Sequence, residues 1–309
     1  MAKGAEEALH GNGLPRIVVI AGTTASGKSA LAIDLARKYN GEIVSADSRQ
    51  VYKGFDLCSG KVTEEERKLV PHHLLDICDI GEKYSVFDYQ KAAYDTIAQI
   101  SERGRVPFLV GGTGLYIASV VQGYVFRQEA FDPDLRRELE AKSLDELWEM
   151  LPDDAKARLN ASDKKNRRRI IRLLEKNQMG EERASKNQPR FSVLQLGVTW
   201  PREILYRRIE KRLKMRLEQG MIEEVRRYLE SGGPMERLCE LGLEYRHIAW
   251  YLAGKYASFE EFQESLARAI QKFAKRQTTW FKRDDAIHWL DMEEDGFAQA
   301  CGWIEPFLS

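Results

Sequence analysis

The sequence predicts an α/β fold: a parallel sheet with helices on both faces, interrupted by an inserted all-helical domain. Three observations predict it. Short apolar runs alternate with stretches of helical periodicity from Arg16 onward. One strand-to-helix junction carries Gly22-Thr23-Thr24-Ala25-Ser26-Gly27-Lys28-Ser29, the spacing G-x-x-x-x-G-K-[ST]. Between residues 127 and 190 the apolar runs vanish, and the pattern becomes helical and highly charged.

The junction is the most informative segment. Ile17-Val18-Val19-Ile20-Ala21 before it reads as a buried strand, and Ala30 to Ala36 after it reads as a helix. Between the two, glycines let the backbone curl around an anion, so that N–H groups and the helix N-terminus point at its oxygens. Gly22, Thr24, Ala25, Ser26, Gly27, Lys28 and Ser29 are therefore the expected diphosphate-binding residues. Lys28 adds a full positive charge, and the Ser29 hydroxyl is placed to hold Mg²⁺. This makes the sheet a P-loop sheet with a site for a di- or triphosphate.

The other elements follow in order. Glu42 to Asp47 is a second strand ending in a carboxylate. Tyr89 to Arg103 has helical spacing and ends near Gly104. Val106 to Val110 is a strand with Pro107 near its beginning, and it runs into Gly111-Gly112-Thr113-Gly114 and a helix from Leu115 to Gln122. Apolar runs separated by helices imply a parallel sheet covered on both faces, whose ligands sit at the C-terminal strand ends. The loop, Asp47 and Thr113 all fall there. Asp132-Pro133 and Leu151-Pro152-Asp153 are helix starts within the charged region. A strand returns at Phe191 to Leu196. Helices follow at Tyr206–Leu217, Ile222–Leu229, Tyr245–Leu252 and Phe259–Phe281, then an edge strand at Ala286–Leu290. The expected division is a P-loop core domain over 1–126 and 191–309, with a helical C-terminal part, and an inserted helical domain over 127–190.

Composition narrows the class. The 309 residues are 43% hydrophobic and 31% charged, as in globular proteins, and no run is long enough to span a bilayer. Met1 to Pro15 lacks the apolar core of a secretory signal and reads as a frayed lead-in. Cys58, Cys78, Cys239 and Cys301 are far apart, with no C-x-x-C pair. That spacing argues against a structural zinc site or a disulfide framework, fits a cytoplasmic protein, and makes each cysteine a small buried apolar residue. The formal net charge is zero, yet basic residues cluster at 164–176, 202–216 and 268–283. Local fields decide where a polyanion docks, so three such clusters beside a phosphate site favour a phosphate-rich partner.

Two roles are open to Asp47: holding Mg²⁺ through water, or taking a proton from a nucleophile bound opposite the phosphates. A turn cap is the plain structural alternative. Thr113 and the N–H groups around it are candidate donors to a ligand. His72 and His73 read as hydrogen-bonding or core residues of a strand. In the last long helix Leu266, Ile270, Phe273, Gln277 and Trp280 form one mostly apolar face, which makes Phe273, Trp280 and Phe281 core anchors. The opposite face carries Lys275, Arg276 and other cations suited to a phosphate backbone.

Taken together, these segments resemble bacterial tRNA dimethylallyltransferases. The loop, Ser45-Ala46-Asp47-Ser48-Arg49-Gln50-Val51-Tyr52, His72-His73-Leu74-Leu75-Asp76, Gly111-Gly112-Thr113-Gly114-Leu115-Tyr116 and Ala274-Lys275-Arg276-Gln277-x-Thr279-Trp280-Phe281-Lys282-Arg283 stand in that family's order, from about Arg16 to Asp291. Thr23 replaces the family's usual proline, and Lys164-Lys165-Asn166-Arg167 departs from its common pattern. No cysteine–histidine cluster follows Cys239, so the zinc-finger extension of eukaryotic relatives is absent.

The resemblance implies transfer of a dimethylallyl group from dimethylallyl diphosphate to N6 of the adenosine just 3′ of the anticodon in tRNA, with release of diphosphate. It makes Asp47, Thr113 and Lys28 the catalytic residues and Mg²⁺ at Ser29 the cofactor. It places the anticodon stem-loop against Asp47, Ser48, Arg49, Gln50, Thr113, Arg136, Arg168, Arg169, Arg172, Lys275 and Arg276, with the insertion as a tRNA-binding domain. It implies a cytoplasmic monomer with no membrane partner. The rival readings are a P-loop nucleoside or nucleotide kinase, a prenyltransferase acting on free AMP, and a non-catalytic RNA-binding module.

Overall fold

In a computed structural model of the protein, which describes residues 10–11, 13–126, 132–160, 163–178 and 187–309, side chains of one central strand alternate between two cores. Val18 and Ile20 pack with Leu31 and Leu35 on one face. Ile17, Val19 and Ala21 pack with Tyr89, Ile97 and Ile117 on the other. A strand covered on both sides is apolar at every position, so its sequence is a continuous run rather than an alternation.

In chain order the core begins with β1 (His10–Gly11), β2 (Leu14–Gly22), α1 (Lys28–Lys38), β3 (Gly41–Ser45), α2 (Asp56–Ser59) and α3 (Glu64–Leu69). It continues with β4 (His72–His73), α4 (Val86–Glu102), β5 (Val106–Gly111) and α5 (Gly114–Val121). The insertion holds α6 (Pro133–Ala141), α7 (Leu144–Glu149), α8 (Asp153–Ala157) and α9 (Arg167–Gln178). The core resumes with β6 (Ser192–Thr199), α10 (Arg202–Glu218), α11 (Met221–Glu230), α12 (Met235–Leu241), α13 (Leu243–Leu252), α14 (Phe259–Phe281), β7 (Ile287–Asp291) and α15 (Gly296–Leu308).

Strand order is β4-β3-β5-β2-β6-β7, and every neighbouring pair in that order is parallel. Among the described residues only the short β1 runs antiparallel, against the start of β2. From β2 the chain passes through α1 to β3 on one side, whereas the crossing from β5 to β6 lands on the other. The C-terminal end of β2 is thus the place where connections diverge, and open parallel sheets bind ligands there.

A third core contains no strand. Leu213, Met221, Tyr245, Phe262 and Leu266 of the C-terminal helices pack with Ala25 of the phosphate loop and with Val51 and Phe55 from the segment after β3. These helices, the sheet and both loops belong to one compact unit, residues 1–124 with 189–309; residues 125–188 form a second. That second unit has its own small core of Leu139, Leu147, Leu151, Ile170, Ile171 and Leu174. Asp132 caps α6 by accepting the Asp134 and Leu135 N–H groups, as the Asp-Pro start predicts. The expected insertion edges at 127–131 and 179–186, and most of the N-terminal lead-in, lie outside the described residues.

Differences from the sequence reading have physical causes. The second strand ends at Ser45, so Asp47 stands free of the ladder in a turn. α12 and α15 went unforeseen because α12 is only 7 residues long and α15 contains Gly302 and Pro306. Burial of Ala300 and Ile304 against the sheet overrides those breakers. Among the described residues no helix is long and apolar enough to cross a membrane. Cys58, Cys78 and Cys301 are buried, and Cys239 is half-buried.

Candidate active site

The phosphate loop alternates between two backbone regions. Ala25 has φ 60° and Gly27 has φ 94°, with Ser26 between them. Left-handed residues at this spacing turn successive N–H groups to one side and form a concavity for an anion. Gly27 is also the N-cap of α1, and the first N–H groups of that helix have no intrahelical acceptor.

Three side chains from far along the chain hold the loop in this shape. Trp200 Nε1 donates to the Ser26 carbonyl at 2.7 Å, and Arg208 Nε donates to the Ala25 carbonyl at 2.9 Å. The Arg208 guanidinium lies 4.6 Å from the centre of the Trp200 ring. Gln277, buried in α14, accepts the Thr24 N–H at 2.9 Å and donates to the Gly112 carbonyl at 2.9 Å. The Thr24 N–H is therefore occupied, although the residue lines the cavity. Ser26 Oγ is buried without a hydrogen-bond partner, an unmet donor within the anion loop.

Lys28 Nζ donates to the Thr23 carbonyl at 3.3 Å. Burial pulls its ammonium down to about 8, with Asp47 opposing the fall and Arg212 adding to it. Burial likewise lowers Arg212 to about 10, helped by Arg216 and opposed by Glu244 and Asp47. Two enclosed cations therefore share one neighbourhood with the carboxylate of Asp47. An anion beside them would favour the charged form of both.

Asp47 Oδ1 accepts the Arg49 N–H at 2.9 Å, an Asx turn that fixes the carboxylate. Thr113 Oγ1 accepts the Ser48 N–H at 3.0 Å and lies 3.3 Å from Ser48 Oγ. The hydroxyl proton of Thr113 is consequently the free end of that group, shared with Ser48 or given to a ligand. The Gln50 side chain is set by Ser45 Oγ at 3.0 Å and the Gly60 carbonyl at 3.2 Å.

Lys28, Ser29, Asp47, Thr113, Arg212 and Gln277 all line one cavity of about 330 Å³. A smaller opening of about 280 Å³ also reaches Lys28, Ser29 and Arg212, so the phosphate loop is approached from two sides. Apolar wall comes from Leu241, Leu243, Ile270 and Phe273. Here the expectation of three aromatic core anchors needs correction. Phe281 is buried, but Phe273 is half-buried and Trp280 is 42% exposed, and both line the cavity. Trp280 comes this close because residue 114 is glycine; its indole occupies the space a Cβ would need.

The remaining expected residues scatter. Arg276 lines the cavity, whereas Lys275, one helical step round, lines a different one. In the insertion Arg136 is tied to Glu140 at 2.7 Å and to buried Glu175 at 3.0 Å. Arg169 pairs with Asp163 at 2.8 Å and Arg172 with Glu175 at 3.4 Å, while Arg168 is exposed. His73 pairs with Glu42 at 2.6 Å and His72 Nδ1 meets the Val70 carbonyl at 2.7 Å, so both are hydrogen-bonding residues of an edge strand. Asp76 of the same segment is the counter-ion of Lys61, whose side chain is fully buried. Sequence reasoning passed over Gln277 as a site residue, although one polar side chain on an apolar helical face was its visible signal. Arg212 was hidden within a run of cations.

Comparison with known proteins agrees with this geometry. A family model described as IPP transferase matches residues 50–284. The chain is 43% identical over 291 residues to tRNA dimethylallyltransferase 2 of Shewanella sediminis, covering 92% of this chain and 96% of that one. It is 44% identical over 291 residues to tRNA dimethylallyltransferase 1 of Geotalea daltonii, covering 93% and 94%. The crystal structure of a tRNA isopentenylpyrophosphate transferase from Bacillus halodurans superposes with a TM-score of 0.73 at 35% identity, over 95% of this chain and 96% of that one. A eukaryotic dimethylallyltransferase captured acting on tRNA superposes with a TM-score of 0.77 at 26% identity, over 95% and 79%. With a matching family model over most of its length and relatives this similar end to end, the chain belongs to the IPP transferase family.

Proposed function

We propose that the protein transfers a dimethylallyl group from dimethylallyl diphosphate to N6 of the adenosine 3′-adjacent to the anticodon in tRNA. The observation that carries this reading is the joining, in one cavity, of a phosphate loop, two enclosed cations, a fixed carboxylate and an apolar wall. The relatives' names supply the substrate class, tRNA. Kinase and free-AMP prenyltransferase readings find no support among those relatives.

An exocyclic adenine amine is a weak nucleophile, because its lone pair is delocalised into the ring. The N6–C1 bond forms as the C1–O bond breaks; the N6 proton passes to Asp47, and the bonding electrons leave with diphosphate. The loop amides, Lys28 and Arg212 take up the charge gathering on that leaving group, and each such donor contributes about 3–4 kcal/mol of barrier lowering. Thr113 offers its hydroxyl proton beside the reacting atoms. Gln277 keeps its turn at a fixed distance from the loop. The target base reaches this cavity by leaving its stack.

Mg²⁺ fits the donor set. Ser29 and Asp47 offer oxygens in the cavity, and no three-residue metal cluster occurs among the described residues. Mg²⁺ characteristically takes one or two protein oxygens, phosphate oxygens and water. Ser29 would hold it, and it would neutralise diphosphate charge. RNA phosphates meet Arg276 beside the cavity and Arg168, Arg169 and Arg172 of the insertion. The four free cysteines support a reducing, cytoplasmic setting. The test is incubation with dimethylallyl diphosphate, Mg²⁺ and unmodified tRNA, followed by nucleoside mass analysis. A mass gain of one C5H8 unit on that adenosine is expected, and unmodified RNA at every enzyme concentration would end the reading.

A further inference from the structure

Helix α14 separates two cavities of similar size. One is lined by Asp47, Thr24, Lys28 and Ser29; the other, about 350 Å³, is lined by Lys275, Thr278 and Lys282 of the helix and by Thr23 at the start of the phosphate loop. The floor of the second cavity includes the half-buried rings of Trp200, Tyr206 and Trp289. Its rim carries Arg202, Lys275 and Lys282, all solvent-exposed. Arg202 lies 5.1 Å from the Tyr206 ring centre and donates to its hydroxyl at 3.1 Å. Lys275 and Lys282 have no carboxylate partner among the described residues, and no acidic side chain lines the cavity. Aromatic faces below a ring of uncompensated cations are the two requirements of a single-stranded nucleotide site.

We propose that this cavity seats one unpaired nucleotide of the RNA substrate, close in the loop to the adenosine being modified. The proposal rests on the tRNA reading above and adds a second point of attachment to it. The base stacks on the Trp289 ring, beside the Tyr206 ring that Arg202 covers, while the flanking phosphodiesters pass Arg202, Lys275 and Lys282. The placement of the cations favours RNA over a free nucleotide. They stand at the exposed rim, where singly charged phosphodiesters of a continuing strand run past. A terminal phosphate dianion is better served by convergent amides, and the loop residues that supply them, Ala25, Gly27, Lys28 and Ser29, line the other openings, with Thr23 alone of the loop reaching this cavity. A single helix, roughly 10 Å across, lies between the two cavities, a span that neighbouring nucleotides of one loop cover.

The test uses an anticodon stem-loop RNA with 4-thiouridine placed at each unpaired position in turn, irradiated on the full-length protein, with 8-azido-AMP as the free-nucleotide arm. At least one thiouridine position is expected to crosslink to peptides bearing Trp200, Tyr206 or Trp289. The double variant R202E/K282E, changed only at exposed positions, should lose about tenfold or more in kcat/KM for the stem-loop through lost phosphate contacts, with KM for dimethylallyl diphosphate unchanged. Crosslinks from the free nucleotide alone, crosslinks confined to other surfaces, or an unchanged kcat/KM would each overturn the proposal. Prenylation by the wild type without any such crosslink defeats this inference only; absence of prenylation defeats the function beneath it.

Discussion

Gln277 and Thr24 stand 253 residues apart in the chain, yet the Gln277 carbonyl oxygen accepts the Thr24 N–H at 2.9 Å. The same side chain donates to Gly112, one residue before Thr113. A single buried amide thus ties the phosphate loop to the turn that carries the Thr113 hydroxyl. Gln277→Leu strands one donor and one acceptor in a buried place. It should cost about 1–3 kcal/mol of stability, read by urea unfolding, and lower kcat. Gln277→Glu keeps the Thr24 contact but cannot donate to Gly112, so it should retain the fold while kcat falls. Wild-type turnover in both variants would show that the link between the two loops is incidental.

Asp47→Asn tests the proton acceptor with little structural disturbance. Asparagine keeps the side-chain oxygen that accepts the Arg49 N–H, so the turn persists. Loss of the base should slow single-turnover prenylation by about 10²–10⁴-fold, while the dissociation constant for tRNA changes little. Equal losses in rate and affinity would make Asp47 an RNA-binding residue instead.

The sheet was legible because the chemistry of its strands is local. Ile17 to Ala21 is apolar at every position and the loop that follows has a fixed spacing, so the strand, the turn and α1 could be placed from adjacent residues. Asp47 and Thr113 were also legible, since each closes its own apolar run. What escaped is what distant segments do to one another. Gln277 looks like a polar interruption until Thr24 and Gly112 arrive from the other end of the chain. Trp280 has the spacing of a core residue, and only the missing side chain at Gly114 shows why it faces the cavity instead. Arg136 has the charge of an RNA contact, yet Glu140 and Glu175 engage it within the insertion.

Lys28 should make diphosphate binding depend on pH. In the free protein its ammonium titrates near 8, below its ordinary value of 10.5, chiefly through burial. Below that pH the cation is present and meets the anion. Above it the proton must be taken up on binding, and affinity falls by about 1.4 kcal/mol per pH unit until the higher value in the complex is reached. The dissociation constant for inorganic diphosphate should therefore rise about thirtyfold between pH 7 and pH 9.5. Titration calorimetry on wild type and Lys28→Met separates this rise from the ionisation of diphosphate itself. Parallel pH curves for the two proteins would exclude Lys28 as its source.

Lys61 is a structural cation. Its side chain is fully buried and meets Asp56 at 2.8 Å, the Tyr52 carbonyl at 2.7 Å, and Asp76. Burial pushes the Asp76 carboxyl upward, but hydrogen bonds from Lys61 and Arg67 outweigh it and hold the group below its ordinary 3.8. That stabilisation is present above the unfolded value and is lost as pH falls through the lower folded one. Lys61→Met should cost about 3 kcal/mol at pH 7. Because Asp76 then loses its main partner, the variant should also show a shallower fall in stability between pH 4 and pH 2. Retained wild-type steepness in acid would place the titrating group elsewhere.

Affinity for tRNA should fall steeply with salt, because each phosphate neutralised by arginine or lysine releases condensed counterions. Arg168 is the informative position in the insertion. Its neighbours Arg169 and Arg172 are engaged by Asp163 and Glu175, whereas Arg168 is exposed and has no ion pair among the described residues. Arg168→Ala should weaken binding to every cognate tRNA alike and reduce the slope of log K against log salt by about one. Arg136→Ala should act differently: it leaves Glu175, 5% exposed, short of a partner, so the insertion loses stability while the salt slope holds. A slope unchanged by Arg168→Ala but reduced by Arg136→Ala would reverse the two assignments, making the paired arginine the one that leaves its carboxylates for the RNA.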